Sequence, residues 1–148
     1  MSEEIIGRLN GLIRVKDIMG TQTYNLIFTT NRIVAELIGD TGAGTLVGGF
    51  GVDLINKRRD YKKALEMNEQ KHPDLILSEN KKNFEINNYD IEKITLQNCW
   101  GNYSINIKFN QKIKKIGKDI QFEVKKDRKD ELKQIILKAY PNITIFKN

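Results

Sequence analysis

Before Gly39 the chain alternates between apolar and polar positions. Ile5, Leu9, Ile13 and Val15 fall at odd positions with Arg8, Asn10, Arg14 and Lys16 between them, the period-two pattern of a strand with one wet face. After a turn around Gly20, Tyr24, Leu26 and Phe28 alternate with Thr23, Asn25 and Thr29, and Thr30-Asn31-Arg32 reverses the chain into Ile33, Ala35 and Leu37. The connections are too short for a helical crossover, so these strands are expected to run antiparallel.

Regular pairing is expected to stop at residues 39 to 51, which hold six of the eleven glycines. Beyond them Leu54, Ile55, Tyr61 and Leu65 recur near helical spacing among Lys57, Arg58, Arg59, Lys62 and Lys63, predicting one amphipathic helix from about Val52 to Gln70. Leu46, Val47 and Phe50 would extend its apolar stripe, and Pro73 ends it. A short turn at Asp74 to Ser78 leads into Phe84-Glu85-Ile86, the bend Asn87-Asn88-Tyr89-Asp90, and a strand from Ile91 to Gln97.

Gly101-Asn102 reads as a hairpin turn. The clearest alternation follows, with Tyr103, Ile105, Ile107 and Phe109 on one face, and a last strand carries Ile120, Phe122 and Val124. Leu132, Ile135, Ile136, Ala139 and Tyr140 then recur at i, i+3, i+4, i+7 and i+8, which is one face of a helix, with Asp127 as its cap and Pro141 as its stop. Ile143 to Phe146 form a tail that either adds a strand or stays loose. The expected class is mostly β with helices (α+β): an antiparallel sheet curled into a bent, closed barrel, an inserted amphipathic helix, and a C-terminal helix as plug.

Composition narrows the picture. The chain has 148 residues, 39% hydrophobic and 30% charged, within the range of one folded domain spanning residues 1 to 148. A single cysteine and a single histidine supply neither an intrachain disulfide nor the usual ligands of structural zinc, so no metal and no cofactor are expected. Met1-Ser2-Glu3-Glu4 is acidic where a secretory signal is positive, and the apolar run from Ala43 to Ile55, broken by Asp53, is shorter than a bilayer span. The expected location is the cytoplasm, with attachment to a membrane surface as a peripheral protein the variant to test.

Three stretches then resemble the pleckstrin-homology-like superfamily, in particular bacterial and archaeal PH-like and GRAM-type domains. They are Leu26-Ile27-Phe28-Thr29-Thr30-Asn31-Arg32-Ile33, similar to the strand, Thr-x-x-Arg turn, strand signature of those domains; Phe84-Glu85-Ile86 through Tyr89-Asp90-Ile91-Glu92-Lys93-Ile94; and the final amphipathic helix. The resemblance implies a seven-stranded bent barrel capped by its C-terminal helix, here interrupted by a glycine-rich and helical insertion at about 39 to 83. It also implies a binding scaffold for phosphoinositides, peptides or partner domains. Around the first hairpin, Arg14-Val15-Lys16-Asp17-Ile18-Met19-Gly20-Thr21 has only two basic residues, opposed by Asp17, which disfavours inositol phosphate recognition in the usual pocket.

Charge is unevenly spread. Residues 108 to 129 hold nine basic residues, Lys108, Lys112, Lys114, Lys115, Lys118, Lys125, Lys126, Arg128 and Lys129, against Asp119, Glu123 and Asp127; the remaining sixteen basic and sixteen acidic residues cancel, so this segment supplies the whole net +6. Folded as a hairpin, it would gather charge at one rim, with Lys112, Lys114, Lys115, Lys118, Lys125 and Lys126 as candidate anion or lipid contacts. The bland alternative is a solvated loop whose lysines keep strand edges apart. Nucleic acid is disfavoured because Phe109 and Phe122 alternate inward, leaving no stacking aromatics.

Gly42-Ala43-Gly44-Thr45-Leu46-Val47-Gly48 lacks the parallel βαβ context of a dinucleotide loop and the Lys-Ser/Thr ending of a P-loop. Gly44, Gly48 and Val52 would instead give a smooth helix face allowing close approach to a sheet, another subunit or lipid, with a flexible connector as the equal alternative. His72 is expected at a helix end, Cys99 at a strand end or in the core, and Asp40, Asp53, Glu85, Asp90 and Glu92 are scattered single carboxylates without metal or glycosidase spacing. The leading expectation is a non-catalytic module that binds a protein partner or itself through Leu46, Phe50, Leu54 and Ile55; its alternative is peripheral binding to an anionic membrane through 108 to 129.

Overall fold

The computed structural model describes residues 3 to 17, 20 to 41 and 72 to 147. Along the chain it has β1 (Ile5–Asp17), β2 (Gly20–Thr29), β3 (Arg32–Thr41), α1 (Pro73–Glu79), β4 (Phe84–Asn87), a 3-10 turn (Asn88–Asp90), β5 (Ile91–Cys99), β6 (Asn102–Ile113), β7 (Gly117–Lys125), a second 3-10 turn (Lys126–Arg128), α2 (Lys129–Ala139) and β8 (Thr144–Lys147). It is mostly β with two helices among the described residues, as the alternation requires.

The strands form one eight-stranded sheet in the order β4-β3-β2-β1-β7-β6-β5-β8. Two antiparallel meanders, β1 to β4 and β5 to β7, meet where β1 runs antiparallel to β7 at Ile13 and Glu123. The expected closed barrel is corrected here: β4 and β8 are the two edges and do not pair, so the sheet curls without closing. The tail does become a strand, and β8 lies parallel to β5, with Leu96 opposite Phe146. It takes the edge that closure would have used. The short β4 ends the sheet on the other side.

Curling places both meanders around one core. Leu9, Leu12, Tyr24, Leu26 and Phe28 from the first join Ile94, Leu96, Tyr103, Ile105, Ile107, Ile120 and Phe122 from the second. Tyr24 ties them together, edge-on to Phe84 on β4 at 5.3 Å and to Phe122 on β7 at 5.9 Å. From α2, the fully buried Leu132 and Ile136 enter the same cluster. Burying side chains of this size stabilises by about 2 kcal/mol each. The helix lies close to the sheet at Gly7, where a Cβ would stand 2.9 Å from Ile135.

The phase of β1 departs from strict alternation. Leu9 and Leu12 are the fully buried pair, whereas Ile5 is exposed and Ile13 only half-buried. The reason is a register shift between Leu9 and Leu12 in the pairing with β2. Gly11 adopts φ +69° there, and its N–H is held by Asn25 Oδ1 at 3.0 Å. A bulge inserts one residue and flips every later side chain to the other face.

Pairing also continues past Gly39, with Thr41 opposite Thr21, so the insertion begins after β3 and not within it. The expected turn at Asp74 to Ser78 is instead α1, whose Ile76 packs with Ile27 and Val34 on the outer face of β2 and β3. The expected helix from 52 to 70 and the stripe Leu46, Phe50, Leu54 and Ile55 lie outside the described residues. Asp127 is not the cap of α2; it sits in the preceding 3-10 turn, and Arg128 occupies the N-cap position without a side-chain cap bond.

Candidate functional site: a basic hairpin

The segment from 108 to 129 does form a hairpin, β6 and β7 with a turn at 114 to 116. All six candidate lysines are exposed, and none has an ion-pair partner among the described residues. Register, however, divides them. Ile113 opposes Gly117 at the tip, whereas Asn102 opposes Lys125 at the base. Lys112, Lys114, Lys115 and Lys118 therefore crowd the tip, while Lys125 and Lys126 lie about 23 Å away along extended strand at roughly 3.3 Å per residue. The expected single rim is two separate basic ends, because a hairpin brings together residues equidistant from its turn and not residues adjacent in sequence.

The tip contains no acid between Lys112 and Lys118. Lys115 takes φ +74° within the turn, while Ile113 and Ile116 pack down on the core. Further along the hairpin, charge is already matched: Lys108 meets Glu92 at 3.4 Å, and Asn106 donates to Asp119 at 3.0 Å.

At the base, β5 and β6 are joined by a two-residue turn, Trp100-Gly101, flanked by the Cys99 and Asn102 pair. The turn lies one residue earlier than the expected Gly101-Asn102. Both central residues have positive φ, +45° at Trp100 and +85° at Gly101, the type I′ form whose first position ordinarily holds Asn, Asp or Gly. A bulky side chain there is disfavoured by about 1 kcal/mol. Trp100 is nonetheless 99% exposed. The two-residue spacing around a glycine was the signal that could have found it.

The same end carries Lys129 and Lys133 over the Tyr103 ring at 5.1 and 5.7 Å, with Lys133 also 5.3 Å from the half-exposed Phe146. Its acids are Asp127, Asp130, Glu123 and Glu131. Glu123 accepts from the Cys99 thiol at 3.5 Å, and Glu131 meets Arg128 at 3.4 Å. Burial and the Glu123 carboxylate both push the Cys99 thiol up, away from the thiolate that a nucleophile requires. His72 caps the start of α1, its Nδ1 accepting from the Asp74 N–H at 3.2 Å; the helix expected before it lies outside the described residues.

The Thr-x-x-Arg turn is a structural knot. Thr29 Oγ1 accepts from the N–H groups of Asn31 at 3.2 Å and Arg32 at 2.9 Å, and its own proton has two acceptors within reach, Glu3 Oε2 at 2.8 Å and the Arg32 carbonyl at 2.9 Å. The Arg32 guanidinium, 14% exposed, reaches Glu3 at 2.9 Å, Asp74 at 2.7 Å and Glu85 at 2.6 Å, and these carboxylates hold its ionisation well above the ordinary range. The N-terminal segment, α1 and β4 are thereby fastened to one turn. Asn88 extends the knot, donating to the Thr29 carbonyl at 3.2 Å and accepting from the Tyr140 hydroxyl at 2.6 Å.

A cleft of about 380 Å³ lies between β3 and α1, lined by Glu36, Asp40, Glu79, Asn80 and Asn83 among others. Its polar groups are engaged with their own neighbours: Lys82 pairs with Asp40 at 2.9 Å, Asn25 donates to Glu36 at 3.3 Å, and Asn83 bridges Leu37 and Ile76. Among the described residues no group of three or more His, Cys, Asp or Glu is arranged to hold a metal ion, and no helix is long and apolar enough to cross a membrane. Comparison with protein-family models, with curated proteins and with solved structures finds no match to this chain.

Proposed function

We infer that the chain is a non-catalytic, PH-like binding module that docks on an anionic lipid surface through its basic hairpin. The PH-like part is supported by the run β4-β3-β2-β1-β7-β6-β5, by the helix after the seventh strand with Leu132 and Ile136 in the core, and by the Thr29 to Arg32 turn. The non-catalytic part is supported by the two groups best suited to nucleophilic or base chemistry. Cys99 is held towards its thiol form, and His72 is committed to capping α1.

One observation carries the lipid reading: in the segment 108 to 129, whose nine basic and three acidic residues supply the chain's net charge of +6, the six lysines stand exposed on the hairpin and at its base without ion-pair partners among the described residues. Each lysine near an anionic bilayer contributes about 1 kcal/mol before screening. Partner binding through Leu46, Phe50, Leu54 and Ile55 rests on the sequence stripe alone.

Co-sedimentation with phosphatidylcholine vesicles, with and without phosphatidylserine, across a salt series tests the reading. Retention on anionic vesicles that fades with salt and is lost when the six lysines become glutamine is the expected result. Equal retention on neutral vesicles, or none on either, overturns it.

A further inference from the structure

We propose that the end of the hairpin bearing Trp100, Lys125 and Lys126, and not its lysine-rich tip, is the face that meets the lipid, with Trp100 seated among the headgroups of an anionic bilayer. This rests on the lipid reading above and fixes its orientation.

The two ends offer different chemistry. The tip presents exposed lysines, and its two isoleucines are partly buried against the core; it can attract anions but has no fully exposed apolar side chain to embed. The base presents a wholly solvated tryptophan directly beside the end of β7, where Asn102 pairs with Lys125. Indole combines an apolar body with one N–H donor, a combination that favours the zone between hydrocarbon and water. Lys125 and Lys126 are exposed, so their ammonium groups reach phosphates at the depth where the ring would lie. Asp127, Asp130 and Glu123 are the opposing charges at this end, because the Cys99 thiol that donates to Glu123 is neutral; Glu131 is paired with Arg128.

The backbone adds an independent reason. Trp100 sits in a left-handed conformation that suits Asn or Gly, and none of its side chain is covered in return. An aromatic held at a strained turn without packing benefit is the pattern expected where function sets the residue. A protein hot spot would seat the ring among supporting apolar contacts; here the ring stands out from a two-residue turn, and the ladder pair beyond that turn is Asn102 with Lys125. Membrane insertion needs no such surround.

The chain contains one tryptophan, so its intrinsic fluorescence reports this position directly. The experiment titrates the full chain with vesicles of phosphatidylcholine alone and of phosphatidylcholine with phosphatidylserine, reading emission and pelleting in parallel for wild type, Trp100→Asn, Lys125→Gln/Lys126→Gln and a tip variant with Lys112, Lys114, Lys115 and Lys118 changed to Gln. Asparagine suits the turn, so loss of binding in that variant is not loss of fold, which thermal unfolding verifies. The expected result is a blue shift with anionic vesicles, quenching by lipids brominated near the headgroup, and partitioning lowered about tenfold by Trp100→Asn, with a smaller loss for the tip variant than for Lys125→Gln/Lys126→Gln. Pelleting on anionic vesicles without any change in emission, and unaffected by Trp100→Asn, overturns the orientation but leaves the lipid reading standing on the tip. No pelleting at all overturns both. A blue shift produced by duplex DNA and not by vesicles assigns this end to nucleic acid and also overturns the proposal.

Discussion

Two of the tight turns in this sheet could hardly be built more differently. Between β2 and β3, the reversal at Thr29 to Arg32 has its N–H groups capped by a threonine hydroxyl, its arginine ringed by three carboxylates, and its carbonyl held by Asn88. Between β5 and β6, the reversal at Trp100-Gly101 is bare, with its largest side chain in water and its backbone in a conformation suited to smaller residues. The first turn is arranged for stability. The second gives some stability away, and that asymmetry is the ground on which the second turn is proposed as a contact site.

Breaking the first turn has the largest expected effect. Arg32→Met leaves Glu3 and Glu85 facing each other across a partly buried space, and destabilisation of about 3 kcal/mol is expected in chemical denaturation. Thr29→Val removes the hydroxyl that receives two backbone N–H groups, and about 2 kcal/mol is expected by the same measurement. The second turn predicts the opposite sign: Trp100→Asn relieves the left-handed strain and raises stability by about 1 kcal/mol. A destabilised Trp100→Asn would show that the ring is packed after all.

Acid sharpens the comparison with the smallest effect. The Arg32 guanidinium holds the Glu3 carboxyl below its ordinary value of 4.5 and the Asp74 carboxyl below its ordinary 3.8. A carboxyl lowered in the folded state contributes stability that is complete above its ordinary value and is lost as pH falls through the folded one. The gap between wild type and Arg32→Met, measured by denaturation at stepped pH, should therefore stay constant from neutrality to about pH 5 and narrow below it. A gap unchanged in acid would mean that Arg32 acts through packing of its stem and not through its charge.

Much of the sheet was legible in the sequence. Tyr24, Leu26 and Phe28, then Tyr103, Ile105, Ile107 and Phe109, alternate without interruption and all point inward, because period two needs no tertiary information to express itself. The face of α2 was legible for the same reason, with Leu132 and Ile136 buried. What escaped depends on pairing. The bulge at Gly11 reverses the phase of β1, and only the register against β2 reveals it. Closure failed because β8 pairs with β5, a contact between distant segments that no local pattern encodes.

The candidate site was legible in composition and illegible in shape. Counting lysines located the hairpin, but the cross-strand partners of Ile113 and Asn102 separate its charge into two ends. Trp100 gives no signal in the sequence because a single aromatic beside Cys99 has no periodic context. Its meaning comes from the sign of one backbone angle and from the absence of cover.

The parallel strand β8 bears on how the chain is made. While a polypeptide is being synthesised, β5 and its apolar residues are present long before Thr144–Lys147, so until β8 emerges the nascent sheet carries a raw border able to zip onto a neighbouring copy. β8 is thus a latch as well as a structural element, and the interval before it engages leaves the border of β5 open to mispairing.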